Sequence, residues 1–180
     1  VGRRYAKTDC EWLMRILGID PGLEHTGWGL IESSGSRISF IAAGVINTNP
    51  KDEIAQRLVK IDAELGLILE KWTPDQAAVE ETFVNKNAAS SLKLGQARGI
   101  ALLVPARAGL EVFEYATNLI KKSVVGNGHA DKNQIGLMVR MLLPSCGEHG
   151  SDACDALAVA ICHAHHAQSS QMIHNALKGR

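Results

Sequence analysis

Apolar and polar positions change period several times along the chain, and each change marks an element. Residues 15–20 form a short apolar run closed by Pro21-Gly22, and 27–32 and 38–46 repeat the strand pattern, so three consecutive strands in a meander are predicted. Ile54, Leu58, Ile61, Leu65 and Ile68 then recur at spacings of three and four behind the Asn49-Pro50 break. That is the period of an amphipathic helix over 52–72, with Lys60 and Glu64 on its polar face. A brief apolar run at 76–80 closes on two acids, 88–107 is helical, and 110–115 is a further apolar strand after Gly109, which together make a β–α–β crossover unit. Helices over 132–143, capped by Asp131, and over 151–166, capped by Ser151, complete the pattern.

One domain of the α/β class over 14–166 accounts for this pattern, with neither a repeat nor a second domain. Residues 1–13 are mixed, basic and without period, and are expected to be an upstream extension, disordered or non-native, outside the fold. Residues 167–180 are expected to be a polar C-terminal tail, rich in Ser and Gln at its start.

Composition changes this picture little. Nineteen basic and nineteen acidic side chains cancel, so any nucleic-acid surface has to come from local segregation of charge. Cys10, Cys146, Cys154 and Cys162 form no C-x-x-C pair and are too sparse for a disulfide scaffold, which points to reduced, buried thiols. No apolar run reaches the roughly 18 to 20 residues that span a bilayer, and a cytoplasmic protein is expected.

Chemistry enters with acids placed where acids are costly. Asp20 closes one apolar strand, Glu80 closes another, and Asp152 and Asp155 open an apolar helix. The spacing of three puts Asp152 and Asp155 on one helix face, and strand ends in open α/β sheets gather functional groups. Singly, each has an ordinary role as a turn, strand-end or helix-dipole acid. Jointly they could converge, and carboxylates about 4 Å apart repel by several kcal/mol per pair at an effective dielectric near 20. Such a cluster calls for a hard divalent cation, Mg²⁺ or Mn²⁺ rather than zinc. Two such ions about 4 Å apart could clamp both oxygens of an in-line phosphodiester displacement.

Five motifs, in order, carry a resemblance: I-L-G-I-D-P-G at 16–22, V-E-E-T-F at 79–83, K-L-G-Q-A-R-G at 93–99, V-F-E-Y at 112–115 and D-A-C-D-A-L-A at 152–158. Together they resemble the RuvC family of crossover junction endodeoxyribonucleases, from Met14 to about His166. The resemblance implies an RNase H-like fold, a five-stranded mixed sheet with helices on both faces, and four metal-binding catalytic acids at Asp20, Glu80, Asp152 and Asp155. It implies resolution of Holliday junctions by paired symmetric hydrolysis in recombination and repair, with two Mg²⁺ per site. It also implies four-way junction DNA, a homodimer and the RuvA–RuvB branch-migration complex as partners. Phe83 matches an aromatic residue that intrudes at the junction centre, and Lys121 and Lys132 match basic positions of a DNA-facing loop around V-V-G-N-G at 124–128. Lys86, Lys93, Arg98 and Lys122 are candidates to extend that basic surface, and Glu81, facing away from Glu80 by strand alternation, is left out of the site.

Other features leave alternatives open. Gly95 and Gly99 suit either close approach of two helices in a dimer or packing of this helix on its own sheet. Pro105 departs from the family pattern, and the helix is expected to end near Leu103 with a longer loop to Gly109. Cys162, His163, His165 and His166 look like a metal cluster but are placed by the pattern at a solvent-exposed helix end. Two functional alternatives stand beside the resolvase: an RNase H-like nuclease acting on another branched or hybrid substrate, and a junction-binding protein without catalysis. Nucleotide binding of the actin and sugar-kinase kind rests only on residues 18–22.

Overall fold

The computed structural model describes residues 13–81 and 87–178, with side chains as far as residue 167. The three-strand meander is present as β1 (Leu13–Asp20), β2 (His25–Ser34) and β3 (Arg37–Asn47), paired antiparallel. Helix α1 (Ile54–Trp72) leads to β4 (Gln76–Glu81), and α2 (Ala88–Arg107) crosses to β5 (Glu111–Ala116). β4 pairs parallel with β1 and with β5, giving one mixed sheet of order β3-β2-β1-β4-β5. Helices α3 (Thr117–Val125), α4 (Lys132–Leu142) and α5 (Ser151–Lys178) follow. The expected extension lies almost wholly outside the described residues, although Leu13 already belongs to β1.

Strand alternation divides the core into two layers. Leu17, Ile19, Leu30, Ile46 and Val79 face α1 and α2, where they meet Ile61, Leu65, Ala97, Ala101 and Val104. Ile16, Ile31 and Ala78 face the opposite way, against Ile135, Val139, Leu157 and Ile161 of α4 and α5. By the same alternation Asp20 and Glu80 fall on the α5 side of the sheet.

Helix α5 comes down directly onto β1 and β2 because glycines leave room for its backbone. A Cβ on Gly18 would stand 2.1 Å from the Ala156 carbonyl oxygen, and one on Gly27 2.0 Å from that of Asp152. Gly27 pairs with Asp20 in the β1–β2 register. Close contact at these two positions therefore seats the first turn of α5, with Asp152 and Asp155, beside the end of β1.

Three sequence expectations about helices are corrected. α2 does not stop near Leu103 but runs to Arg107 with Pro105 buried inside it. The proline falls in the last turn, where its missing N–H costs one bond, and Leu110 N–H donates to its carbonyl as the chain turns at Gly109 (φ 86°). α5 continues past His166 to Lys178, so the histidines are not at a helix end. Ser151 is its first helical residue, and Cys154 N–H donates to Gly150 O. Asp131 does cap α4, in a capping box with Gln134. The unforeseen element is α3, nine residues with no side-chain cap, too short for its period to stand out.

Cys146, Cys154 and Cys162 are free and buried, as the composition suggested, while Cys10 lies outside the described residues. His163 is only 2% exposed and spans two layers: Tyr115 Oη is 2.8 Å from its Nδ1 and Gln76 Oε1 is 2.8 Å from its Nε2. Burial pushes its pKa down to about 4, so it is a neutral core histidine tying α5 to β4 and β5. Among the described residues no helix is long and apolar enough to cross a membrane.

Candidate active site

The C-terminal ends of β1 and β4 and the N-terminal turn of α5 meet in one cleft of about 390 Å³. Asp20, Glu80 and Asp155 line it, together with Thr117, Lys121 and Lys132. Asp20, Asp152 and Asp155 each offer a carboxylate oxygen within 4.8 Å of the others. Glu80 stands beside this trio, hydrogen-bonded to Asp20. The four acids singled out in the sequence are thus brought together from three elements.

Their electrostatics are those of a cluster short of positive charge. Burial, then the charges of Glu80, Asp155 and Asp152, push the Asp20 carboxyl up to about 8. Glu80 is also raised, chiefly by burial, but the Thr117 hydroxyl opposes this by donating to Glu80 Oε1 at 2.5 Å. Without a cation, the hydrogen-bonded pair therefore holds a proton well above the ordinary carboxylate range. Lys132 Nζ lies 3.2 Å from Asp155 Oδ2, and that carboxylate raises the lysine's pKa. Two lysines do not balance four acids. The donor set, all carboxylate oxygen and partly buried, fits a hard divalent cation.

The other candidates separate. Lys121 is on α3 rather than in a loop, and Lys132 is the first residue of α4, so both ends of the 124–128 segment deliver a lysine into the cleft. Glu81, set aside by alternation, still lines the cleft. Phe83 and Lys86 lie outside the described residues. Arg98 pairs with Glu114, Lys122 is exposed on α3, and Lys93 lines a separate groove. Thr117 was missed: it follows β5, whose Tyr115 pairs with Glu80, and only that adjacency, invisible in sequence, marks it.

A mixed five-stranded sheet flanked by helices, with acids gathered at the ends of β1 and β4 and at an opposing helix, defines the RNase H-like class of nucleases. Comparison with known proteins narrows the class. The family model for crossover junction endodeoxyribonuclease RuvC matches residues 16–163. The chain belongs to the RuvC family. It is 58% identical over 164 residues to the crossover junction endodeoxyribonuclease RuvC of Cereibacter sphaeroides, covering 91% of this chain and 97% of that one. It is 54% identical over 159 residues to the Rhizobium johnstonii protein of the same name, covering 88% and 94%. Among solved structures, T. thermophilus RuvC in complex with Holliday junction substrate matches at a TM-score of 0.81 and 33% identity, over 87% of this chain and 96% of that chain.

Proposed function

We propose that the cleft is the active centre of a metal-dependent, structure-selective endonuclease that resolves Holliday junctions by symmetric phosphodiester hydrolysis. The observation that carries this reading is the convergence of Asp20, Glu80 and Asp155 on one cleft that also holds Lys121 and Lys132, with Asp152 offering a carboxylate oxygen within 4.8 Å of those of Asp20 and Asp155. Asp20, Glu80, Asp152 and Asp155 would hold Mg²⁺, two ions for preference, with Mn²⁺ a substitute. When bound, the cation supplies positive charge and Lewis acidity at the scissile phosphodiester. Thr117 fixes one oxygen of Glu80, so that carboxylate keeps its orientation through the reaction. Lys132 holds Asp155 in place, and with Lys121 it offers charge to the phosphates of the entering strand. Phe83 is assigned to the junction centre, stacking on or wedging between unpaired bases.

The catalytic domain is taken as 14–166, with 167–180 carried as a C-terminal extension, and the protein is placed in the cytoplasm with the chromosome. Two copies are needed to cut two symmetry-related strands, and α2 offers the surface for a homodimer. Leu92, 67% exposed, and Leu103, 53% exposed, flank Gly95 and Gly99 on its outer face. A Cβ on either glycine meets nothing within 4 Å, so packing on the chain's own sheet does not demand them. RuvA–RuvB is the partner that would deliver the junction.

The test is cleavage of a labelled synthetic four-way junction with Mg²⁺, with EDTA, and by Asp20→Asn, beside linear duplex and RNA–DNA hybrid. Symmetric, ligatable nicks confined to the junction, and lost with EDTA and in the variant, are expected. Binding without cutting would replace the nuclease by a junction scaffold.

A further inference from the structure

Beside the active cleft, sharing Leu94 as a common wall, lies a second groove of about 370 Å³ lined by Leu23, Glu24, Pro50, Arg57, Ser90, Lys93 and Leu94. Arg57 is only 8% exposed. An arginine covered to that degree usually has a carboxylate partner. Among the described residues none pairs with it, and its single hydrogen bond there runs from Nε to Thr48 Oγ1 at 2.9 Å. That leaves the forked Nη end, the part shaped for two oxygens of one anion, without an acceptor among the described residues.

The arginine is nonetheless held. Thr48, itself buried, donates its hydroxyl to Leu23 O at 2.6 Å and its N–H to Glu24 O at 3.0 Å. Arg57 is thereby fixed to the turn that begins directly after Asp20. Across the groove α2 contributes Ser90 and Lys93. The first amides of α2 are already taken, since Asn87 Oδ1 accepts from Ala89 and Ser90, so an anion here would be held by side chains rather than by the helix end. Glu24 is the one acid on the lining, and it is solvated and 3.8 Å from His25 Nε2. Two cations against one rim carboxylate leave the groove positive.

We propose that Arg57, Lys93 and Ser90 form a phosphodiester-binding subsite that grips one backbone phosphate of the DNA strand leading into the active cleft. Arg57 supplies a preorganised fork, Lys93 a second charge and Ser90 a hydroxyl donor. The groove's contiguity with Asp20 makes it a register device: one phosphate seated here sets which neighbouring phosphate reaches the carboxylates. This rests on reading the cleft as the site of cutting.

The experiment measures binding of a synthetic four-way junction in EDTA, across a salt series, for wild type, Lys93→Gln, Ser90→Ala and Arg57→Gln, with melting temperatures recorded. Lys93 is exposed, so its replacement is expected to leave the fold intact and keeps the test meaningful if Arg57→Gln unfolds. Lys93→Gln is expected to weaken binding about tenfold near 0.1 M salt and to lower the slope of log K against log[salt] by about one. A scan of neutral methylphosphonates along the strand should find one position that weakens wild type but no longer weakens Lys93→Gln. Wild-type affinity and slope in a normally melting Lys93→Gln, with every methylphosphonate acting equally on both proteins, would overturn the subsite. Because binding is read without metal, that result holds whether or not the wild type cuts, whereas absence of cutting by wild type in Mg²⁺ would overturn only the nuclease reading.

Discussion

Replacing Asp20 by Asn should make the metal-free protein more stable, and by an amount that grows with pH. The folded-state pKa of Asp20 is raised from 3.8 to about 8, so the native state retains a proton that the unfolded chain has already released. The wild-type contribution is therefore intact below the unfolded pKa and is lost as pH rises from about 4 through about 8. Four units at 1.36 kcal/mol each set an upper limit of about 5–6 kcal/mol. The cleft is open to solvent and the proton is shared with Glu80, so about 2 kcal/mol at pH 9 is a fair expectation, worth roughly 4–8 °C in a domain of this size. Thermal unfolding in EDTA at pH 5, 7 and 9 measures it as the difference between variant and wild type, which cancels the titrating groups that do not interact with Asp20. Added Mg²⁺ should then reverse the order by stabilising wild type more than the variant. A difference that stays constant with pH, or an Asp20→Asn variant less stable than wild type at pH 9 without metal, would refute the argument that repulsion and burial dominate this cluster.

Three further outcomes follow from the geometry. Lys132→Met removes the cation 3.2 Å from Asp155 and should lower single-turnover cleavage of the junction about 10- to 100-fold while weakening junction binding far less. Equal losses in both would reduce Lys132 to a plain phosphate contact. Gly18→Ala forces a methyl to 2.1 Å from the Ala156 carbonyl oxygen, so chemical denaturation should show a loss of about 3 kcal/mol or more, and an unchanged midpoint would mean α5 does not bear on β1 as described. The double change Leu92→Glu and Leu103→Glu buries two acids if α2 is the dimer face, and sedimentation should then give a monomer where wild type gives a dimer. A dimer retained by that variant would place the interface elsewhere.

The elements with a clear period, and the acids at their ends, were legible in the sequence. β1, β2 and β4 fall where short apolar runs put them, because they are buried on both faces of the sheet, and α1 falls where the three-four spacing puts it, with one face on the sheet. What escaped depends on neighbours distant in sequence. Pro105 argues locally for a helix end, but burial in the last turn of α2 outweighs one missing hydrogen bond. His163 looked like part of an exposed cluster, since nothing local announces Tyr115 and Gln76 on either side of it. Arg57 was hidden in the same way: its position, between Gln56 and Leu58 on an amphipathic helix, says nothing of the Thr48 hydroxyl that holds it inward.

The convergence of the acids is itself a consequence of residues that carry no chemistry. Asp20 and Gly18 lie on one face of β1, and Gly27 faces Asp20 across the β1–β2 ladder. Only a helix that touches the sheet backbone can bring its first turn level with a short aspartate at a strand end, and only glycine permits that contact. Any side chain at Gly18 or Gly27 would lift α5 by about an ångström or more, which would relax the burial and the Asp155 and Asp152 repulsion that help raise Asp20, while opening the space between Asp20, Asp152 and Asp155. The electrostatic strain of the metal-free cluster and its affinity for metal are thus coupled through the same contact. A substitution at Gly27 that leaves the fold intact should lower the pKa of Asp20 and weaken divalent-cation binding together, and titration of Asp20 followed by NMR beside Mn²⁺ binding would show whether the two move as one.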